Sequence, residues 1–219
     1  TSRLAPPPPR GGRELLAHRP VRLPSLRGKD MFGKITTRRK YPWIVEIHGK
    51  KFTFRPLTPE DRDITVAFTA GLSHADILFL ESDIFKPEVV DEWIANVVRG
   101  HAFVLLAFNS IGQIVGYASL YRNENSWGRH QVELRLFVLK QYRNTGVGKH
   151  LADEIALVAE EQKPYIVKIN IPRDTPHIRM MLEKKGFIAE ALLTDWLMDV
   201  DGRTHDLVIM ARRLKDEIA

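Results

Sequence analysis

The sequence contains no cysteine. That excludes disulfides, thiol nucleophiles and thiolate metal ligands, and it leaves the redox compartment open. No apolar run approaches the roughly 20 residues that a membrane-spanning helix requires, so the chain reads as soluble, with no membrane partner and a cytoplasmic setting expected. No internal repeat is visible. Histidine pairs at helical ligand spacing are absent too: His101, His130, His150, His177 and His205 are scattered, and no metal is expected. An excess of basic over acidic residues, 33 to 27, invites a nucleic-acid reading. Its location answers that. Arg3, Arg10, Arg13, Arg19, Arg22, Arg27 and Lys29 face only Glu14 and Asp30 within residues 1–30, and without this stretch the chain is close to neutral. Nucleic acid is therefore not the expected partner.

What is present suits one globular domain with some extra length: 219 residues, 44% of them hydrophobic. Residues 1–30, opening TSRLAPPPPRGGRELLAHRP, form a proline- and arginine-rich tail that cannot bury enough apolar surface to order itself. Such a tail could serve as a proline-rich ligand or an organellar targeting segment. The preferred reading is plainer: a cloning remnant or an over-long translation ahead of Met31. Residues 31–50 read as an N-terminal extension with a short strand, and residues 51–215 as the main domain.

Along the chain, KYPWIVEIH (Lys40 to His48) and KFTFRP (Lys51 to Pro56) read as strands around a Gly49-Lys50 turn. Thr58-Pro-Glu-Asp61 is a helix start, with a helix to Gly71. A second helix, Lys86 to Arg99, is predicted to bury Val89, Val90, Trp93, Ile94, Val97 and Val98. Three strands follow, Ala102 to Phe108, Gln113 to Arg122 and Gln131 to Leu139. Val147 to Glu161 is a helix with Leu151, Ile155, Leu157, Val158 and Ala159 mostly on one side. Tyr165 to Ile171 is a strand and Pro176 to Lys185 a helix. Ala189 to Val200 and Arg203 to Arg212 flank Asp201-Gly202, a type I′ hairpin signal. Strands alternating with helices, closed by a hairpin, give an α/β (α+β) class with a mixed sheet.

QYRNTGVGKHL, Gln141 to Leu151, joins a strand to a helix, where backbone N–H groups and the helix dipole converge on an anion. The nucleotide P-loop pattern fails at Arg143 and His150, and the dinucleotide fingerprint fails at Leu151. Arg143-x-x-Gly146-x-Gly148 in this setting resembles the pyrophosphate signature of the GNAT superfamily of N-acetyltransferases. The order of elements from Lys51 to Arg213 resembles that family too, as does MMLEKKGF, Met180 to Phe187, at the close of the last helix.

The resemblance implies a GNAT fold, in which a splayed strand pair receives acetyl-CoA as cosubstrate. Backbone groups of Leu136, Phe137 and Val138 would pair with the pantetheine arm. Amides of Asn144, Thr145, Gly146, Val147, Gly148 and Lys149 would face the pyrophosphate, and Arg143, Lys149 and His150 would answer its charge. Thr175 stands where the family commonly has a cofactor-contacting asparagine. Glu133 is the implied catalytic base. Alternation puts it on one face of its strand with Arg135 and Phe137, opposite Val132, Leu134, Leu136 and Val138. Partial burial is expected to raise its pKa; a structural ion pair is the competing reading. Glu133 precedes Arg143 by ten residues, an offset similar to that of Pat-type bacterial protein lysine acetyltransferases. FTAGLS (Phe68 to Ser73), Phe79 and Phe85 loosely resemble the same group.

One departure stands out: Leu182 occupies the place of the family's usual thiolate-protonating tyrosine, with Tyr117, Tyr121 and Tyr165 as candidate substitutes. Trp127 is the better pocket candidate among the tryptophans, and Trp93 reads as core. The expected activity is acetyl transfer to a primary amine, a protein lysine or a small molecule, by direct transfer in a ternary complex. A non-catalytic acyl-CoA-binding module is the alternative, and a homodimer is compatible with the sequence.

Overall fold

The computed structural model describes residues 35, 37–72, 86–122, 127–162, 164–199 and 201–214. The readings placed on residues 1–30, on Ser73, Phe79 and Phe85 and on most of the loop after Arg122 lie outside these residues.

Among the described residues the first elements are two strands, β1 (Trp43–Ile47) and β2 (Lys50–Pro56). Their turn is made by His48 and Gly49, both at positive φ. A short 3-10 turn at Pro59–Asp61 leads into α1 (Arg62–Ala70). Asp61 stops this turn from fraying. It accepts from the Thr58 amide and hydroxyl at 2.9 and 3.0 Å and receives both arms of Arg55 at 2.6 and 2.7 Å. Next comes α2 (Pro87–Arg99), started by proline at its first position. It ends at Gly100, whose φ of 80 lets the chain reverse while His101 donates to the Asn96 carbonyl. Trp93 and Val90 are buried as expected, but Val98 is 56% exposed, on the solvent edge of the apolar stripe.

Three strands follow, β3 (Ala102–Phe108), β4 (Ile114–Arg122) and β5 (Gln131–Val138). Then come α3 (Val147–Gln162), β6 (Ile166–Pro172) and α4 (Pro176–Glu183), and β7 (Ile188–Met198) and β8 (Thr204–Arg213) close the chain. One eight-stranded sheet runs β1-β2-β3-β4-β5-β6-β8-β7. Every neighbouring pair is antiparallel except β5 with β6.

The apolar run of β3 is explained by burial on both faces. Phe103, Leu105 and Ala107 enter one core with Val147, Leu151, Ile155 and Val158 of α3. Val104, Leu106 and Phe108 enter the other with Trp93, and Phe68 of α1 packs there. Leu157, expected on the inner side of α3, is 48% exposed, because the helical turn carries it past the buried stripe. The final hairpin also differs from expectation. Gly202 takes a φ of 77, but the Asp199 amide donates to the Arg203 carbonyl, which closes a longer loop than a two-residue type I′ turn. Instead the Gly202 amide bonds the Asp199 carbonyl, while the Asp199 carboxylate accepts from the amides of Asp201 and Arg203.

Candidate active site

β5 and β6 pair at only three positions, Gln131 with Ile166, Val132 with Val167 and Glu133 with Lys168. Beyond that rung the two strands follow different neighbours. β5 stays on β4 as far as Val138, and β6 stays on β8 as far as Pro172. The gap between them is a cleft of about 450 Å³. Its β5 wall includes Leu136, Phe137 and Val138, whose backbone edge toward β6 has no ladder partner. That edge is a template for an added extended segment.

Gly116 on β4 sets the position of this wall. A Cβ there would lie 2.6 Å from the Phe137 carbonyl oxygen, so only glycine permits the two backbones to come this close.

The loop after β5 closes one end. Arg143, Asn144, Gly146, Gly148 and Lys149 line the cleft. Asn144 and Gly146 take φ of 62 and 98, left-handed conformations that asparagine tolerates and glycine adopts freely. Arg143 Nε donates to the Val138 carbonyl at 3.0 Å, which ties the loop to the strand end. Thr145 and Val147 are not walls of the cleft: the Thr145 hydroxyl donates to the Tyr142 carbonyl at 2.6 Å, and the Val147 side chain is buried in the core. Thr175 lines the opposite side, ahead of α4.

Glu133 stands at the inner end, where the strands part. Alternation holds, with Glu133, Arg135 and Phe137 on one face. The expectation of a raised pKa does not. Burial pulls the carboxyl upward, but Arg135 and Lys168 outweigh it and hold it below the usual carboxylate range. Arg135 Nε reaches one oxygen at 2.8 Å and Lys168 Nζ the other at 3.0 Å. The guanidinium of Arg135 also lies 5.0 Å from the Tyr121 ring centre.

Other expectations are corrected. His150 does not line the cleft; its ring packs against Trp43 and Phe54, and its Nδ1 bonds the Gly146 carbonyl. Tyr117, Tyr121 and Tyr165 are not walls of the cleft either. Tyr117 is buried between Trp93 and Phe137, and burial pushes its phenol pKa up, as it does for Tyr121. Leu182 fills core space. Trp127 is 92% exposed and does not line the cleft.

Sequence reasoning missed the β6 and α4 walls, notably Asn170, His177, Ile178 and Met181. Lys168 and Asn170 alternate onto one face of β6, but only the parallel pairing brings Lys168 beside Glu133.

Residues 99–189 match the family model described as "Acetyltransferase (GNAT) domain". Within those residues lies a GNAT acetyltransferase domain. Solved structures agree on the fold. The ribosomal-protein-alanine N-acetyltransferase of Brucella melitensis is 25% identical, with TM-score 0.61, covering 73% of this chain and 98% of its own. The yncA protein of Salmonella typhimurium, solved with acetyl-CoA, is 20% identical, with TM-score 0.62 over 77% and 96%. The spermidine N-acetyltransferase of Vibrio cholerae, solved with CoA and spermine, is 13% identical, with TM-score 0.61 over 74% and 95%. No curated protein matches the chain. The GNAT domain thus has the mixed α/β architecture expected from the sequence, and the chain is an acyl-group transferase by family.

Proposed function

We propose that the β5–β6 cleft binds acetyl-CoA and that the enzyme transfers its acetyl group to a primary amine, a protein lysine or a small molecule, without an acyl-enzyme. The observation that carries this reading is the β5 edge, left without a strand partner beyond Glu133, that leads from the glycine loop to that carboxylate. The chain fits the donor chemically. Gly146 and Gly148 keep side chains away from an approaching anion, Arg143 and Lys149 supply positive charge, and Leu136 to Val138 offer main-chain groups. In the reaction the amine nitrogen forms a bond to the thioester carbon, the carbon–sulfur bond breaks, and the thiolate leaves with a proton.

Glu133 is the proposed proton acceptor, acting through water. Its two cations keep it ionised and therefore ready to accept, at the cost of basicity. A Pat-type lysine acetyltransferase is the finer form of this proposal, supported by the Glu133 spacing and by Leu182 in the tyrosine's place.

The test is CoA thiol release from acetyl-CoA over a panel of lysine peptides, polyamines and amino acids. Glu133→Gln is expected to lower kcat by about 10²- to 10⁴-fold while acetyl-CoA still binds. Full activity in that variant would remove Glu133 from the mechanism. Donor binding with no turnover on any acceptor would favour a binding module.

A further inference from the structure

His150 is the second residue after Gly148, and its side chain turns back from the cleft. Its Nδ1 lies 3.0 Å from the Gly146 carbonyl oxygen. A carbonyl can only accept, so Nδ1 carries the proton. The same oxygen receives the His150 backbone amide at 3.1 Å. Two donors from one residue therefore fix the Gly146 carbonyl into the first turn of α3.

The ring itself is held from behind. Trp43 of β1 and Phe54 of β2 are register partners, and their ring centroids lie 5.8 and 6.0 Å from the imidazole, the Phe54 ring being nearly parallel to it. Ile47, at the end of β1, closes on the same loop, since a Cβ on Gly146 would come within 3.0 Å of its Cγ2.

A peptide unit is planar, with C=O and N–H pointing in opposite directions. Fixing the Gly146 carbonyl inward therefore fixes the Val147 N–H outward from the start of α3. Gly146 and Gly148 wall the cleft there. Gly146 has no side chain to resist rotation, and its φ of 98 lies where glycine alone moves freely. Without a restraint this peptide would rotate, and the donor amides of the loop would have to be ordered at each binding event.

We propose that His150 is a positioning residue for donor binding: its imidazole, clamped by Trp43 and Phe54, orients the Gly146–Val147 peptide toward the pyrophosphate of acetyl-CoA. This inference rests on the acetyl-CoA reading above. It gives the N-terminal hairpin a part in the donor site, although neither Trp43 nor Phe54 touches the cleft.

The experiment is calorimetric binding of acetyl-CoA, and of S-acetylpantetheine, which lacks the pyrophosphate, to the full chain. The wild type is compared with His150→Leu and His150→Asn, because an asparagine amide places an N–H near the position of Nδ1. His150→Leu is expected to weaken acetyl-CoA binding about tenfold, and His150→Asn by less than about threefold, as one hydrogen bond is lost or kept. S-acetylpantetheine should bind all three alike. The inference is overturned if the leucine variant binds acetyl-CoA like wild type, if both variants weaken equally, or if S-acetylpantetheine loses as much. Should His150→Leu fail to fold, Trp43→Leu, which frees the ring and keeps the histidine, is expected to weaken acetyl-CoA selectively, and its indifference would overturn the inference. If the wild type binds no acetyl-CoA, the donor reading falls and this inference with it; wild-type binding with indifferent variants overturns this inference alone.

Discussion

Lys168 Nζ stands 3.0 Å from the Glu133 carboxylate, at the last rung before β5 and β6 separate. With Arg135 on the other oxygen, the carboxyl is held ionised in a largely buried position. Its folded pKa lies below the unfolded value of about 4.3, so the stabilisation is present above that value and is lost as pH falls through the folded one. Lys168→Met is expected to destabilise the protein at pH 7 by on the order of 1 kcal/mol, a figure reduced by solvent screening of the lysine. The deficit relative to wild type should shrink between pH 7 and a pH low enough for Glu133, whose carboxyl is held below the usual carboxylate range, to gain its proton. Urea midpoints at the two pH values measure this, and a deficit independent of pH would mean that Lys168 acts through packing.

The same pairing shapes the kinetics. Since Glu133 is already ionised at neutral pH, the acid limb of kcat/KM should follow the ammonium of the acceptor and shift with each amine offered. A limb shared by all acceptors and lost in Glu133→Gln would show that donor binding strips the cations from the carboxylate.

Gly116→Ala should be severe for a residue of its size. The new methyl would stand 2.6 Å from the Phe137 carbonyl oxygen and 3.2 Å from the Val138 Cα, both backbone atoms of the cleft wall. A loss of about 2–4 kcal/mol is expected from the forced strand shift, together with weaker acetyl-CoA binding. Denaturation and calorimetry on the same variant test both parts.

Glu154 offers a stability test away from the cleft. This α3 carboxylate is 2% exposed and accepts from the Tyr41 hydroxyl at 2.6 Å and from Arg39 Nε at 2.7 Å. Burial, then the neighbouring carboxylate, push the Tyr41 phenol pKa up. Tyr41→Phe leaves a buried acceptor one donor short and should cost about 1–3 kcal/mol. Arg39→Ala should cost less, because that side chain is 37% exposed. Equal denaturation midpoints for wild type and Tyr41→Phe would show that Glu154 is satisfied without the phenol.

Much of this architecture could be read locally. The bounds of β3 follow from an unbroken apolar run, and Pro87 and Gly100 punctuate α2. The start of α3 is marked by Gly146 just before it and Gly148 in its first turn. Other features were invisible for one reason: they depend on residues far apart in the chain. Lys168 meets Glu133 through a parallel pairing that α3 bridges. His150 meets Trp43 and Phe54 because α3 lies against the N-terminal hairpin. Trp127 was misplaced because being near a site in sequence does not fix which way a loop faces.

By itself the sequence determined the periodicities that make each strand and helix, and the glycine loop with the charges that suit an anion, because those properties belong to neighbouring residues. The tertiary structure alone decided that Glu133 is a doubly paired, ionised carboxylate and that His150 faces the hairpin. A pKa and a side-chain direction are set by whatever packs across the sheet, and strand pairing, not local pattern, chooses that partner.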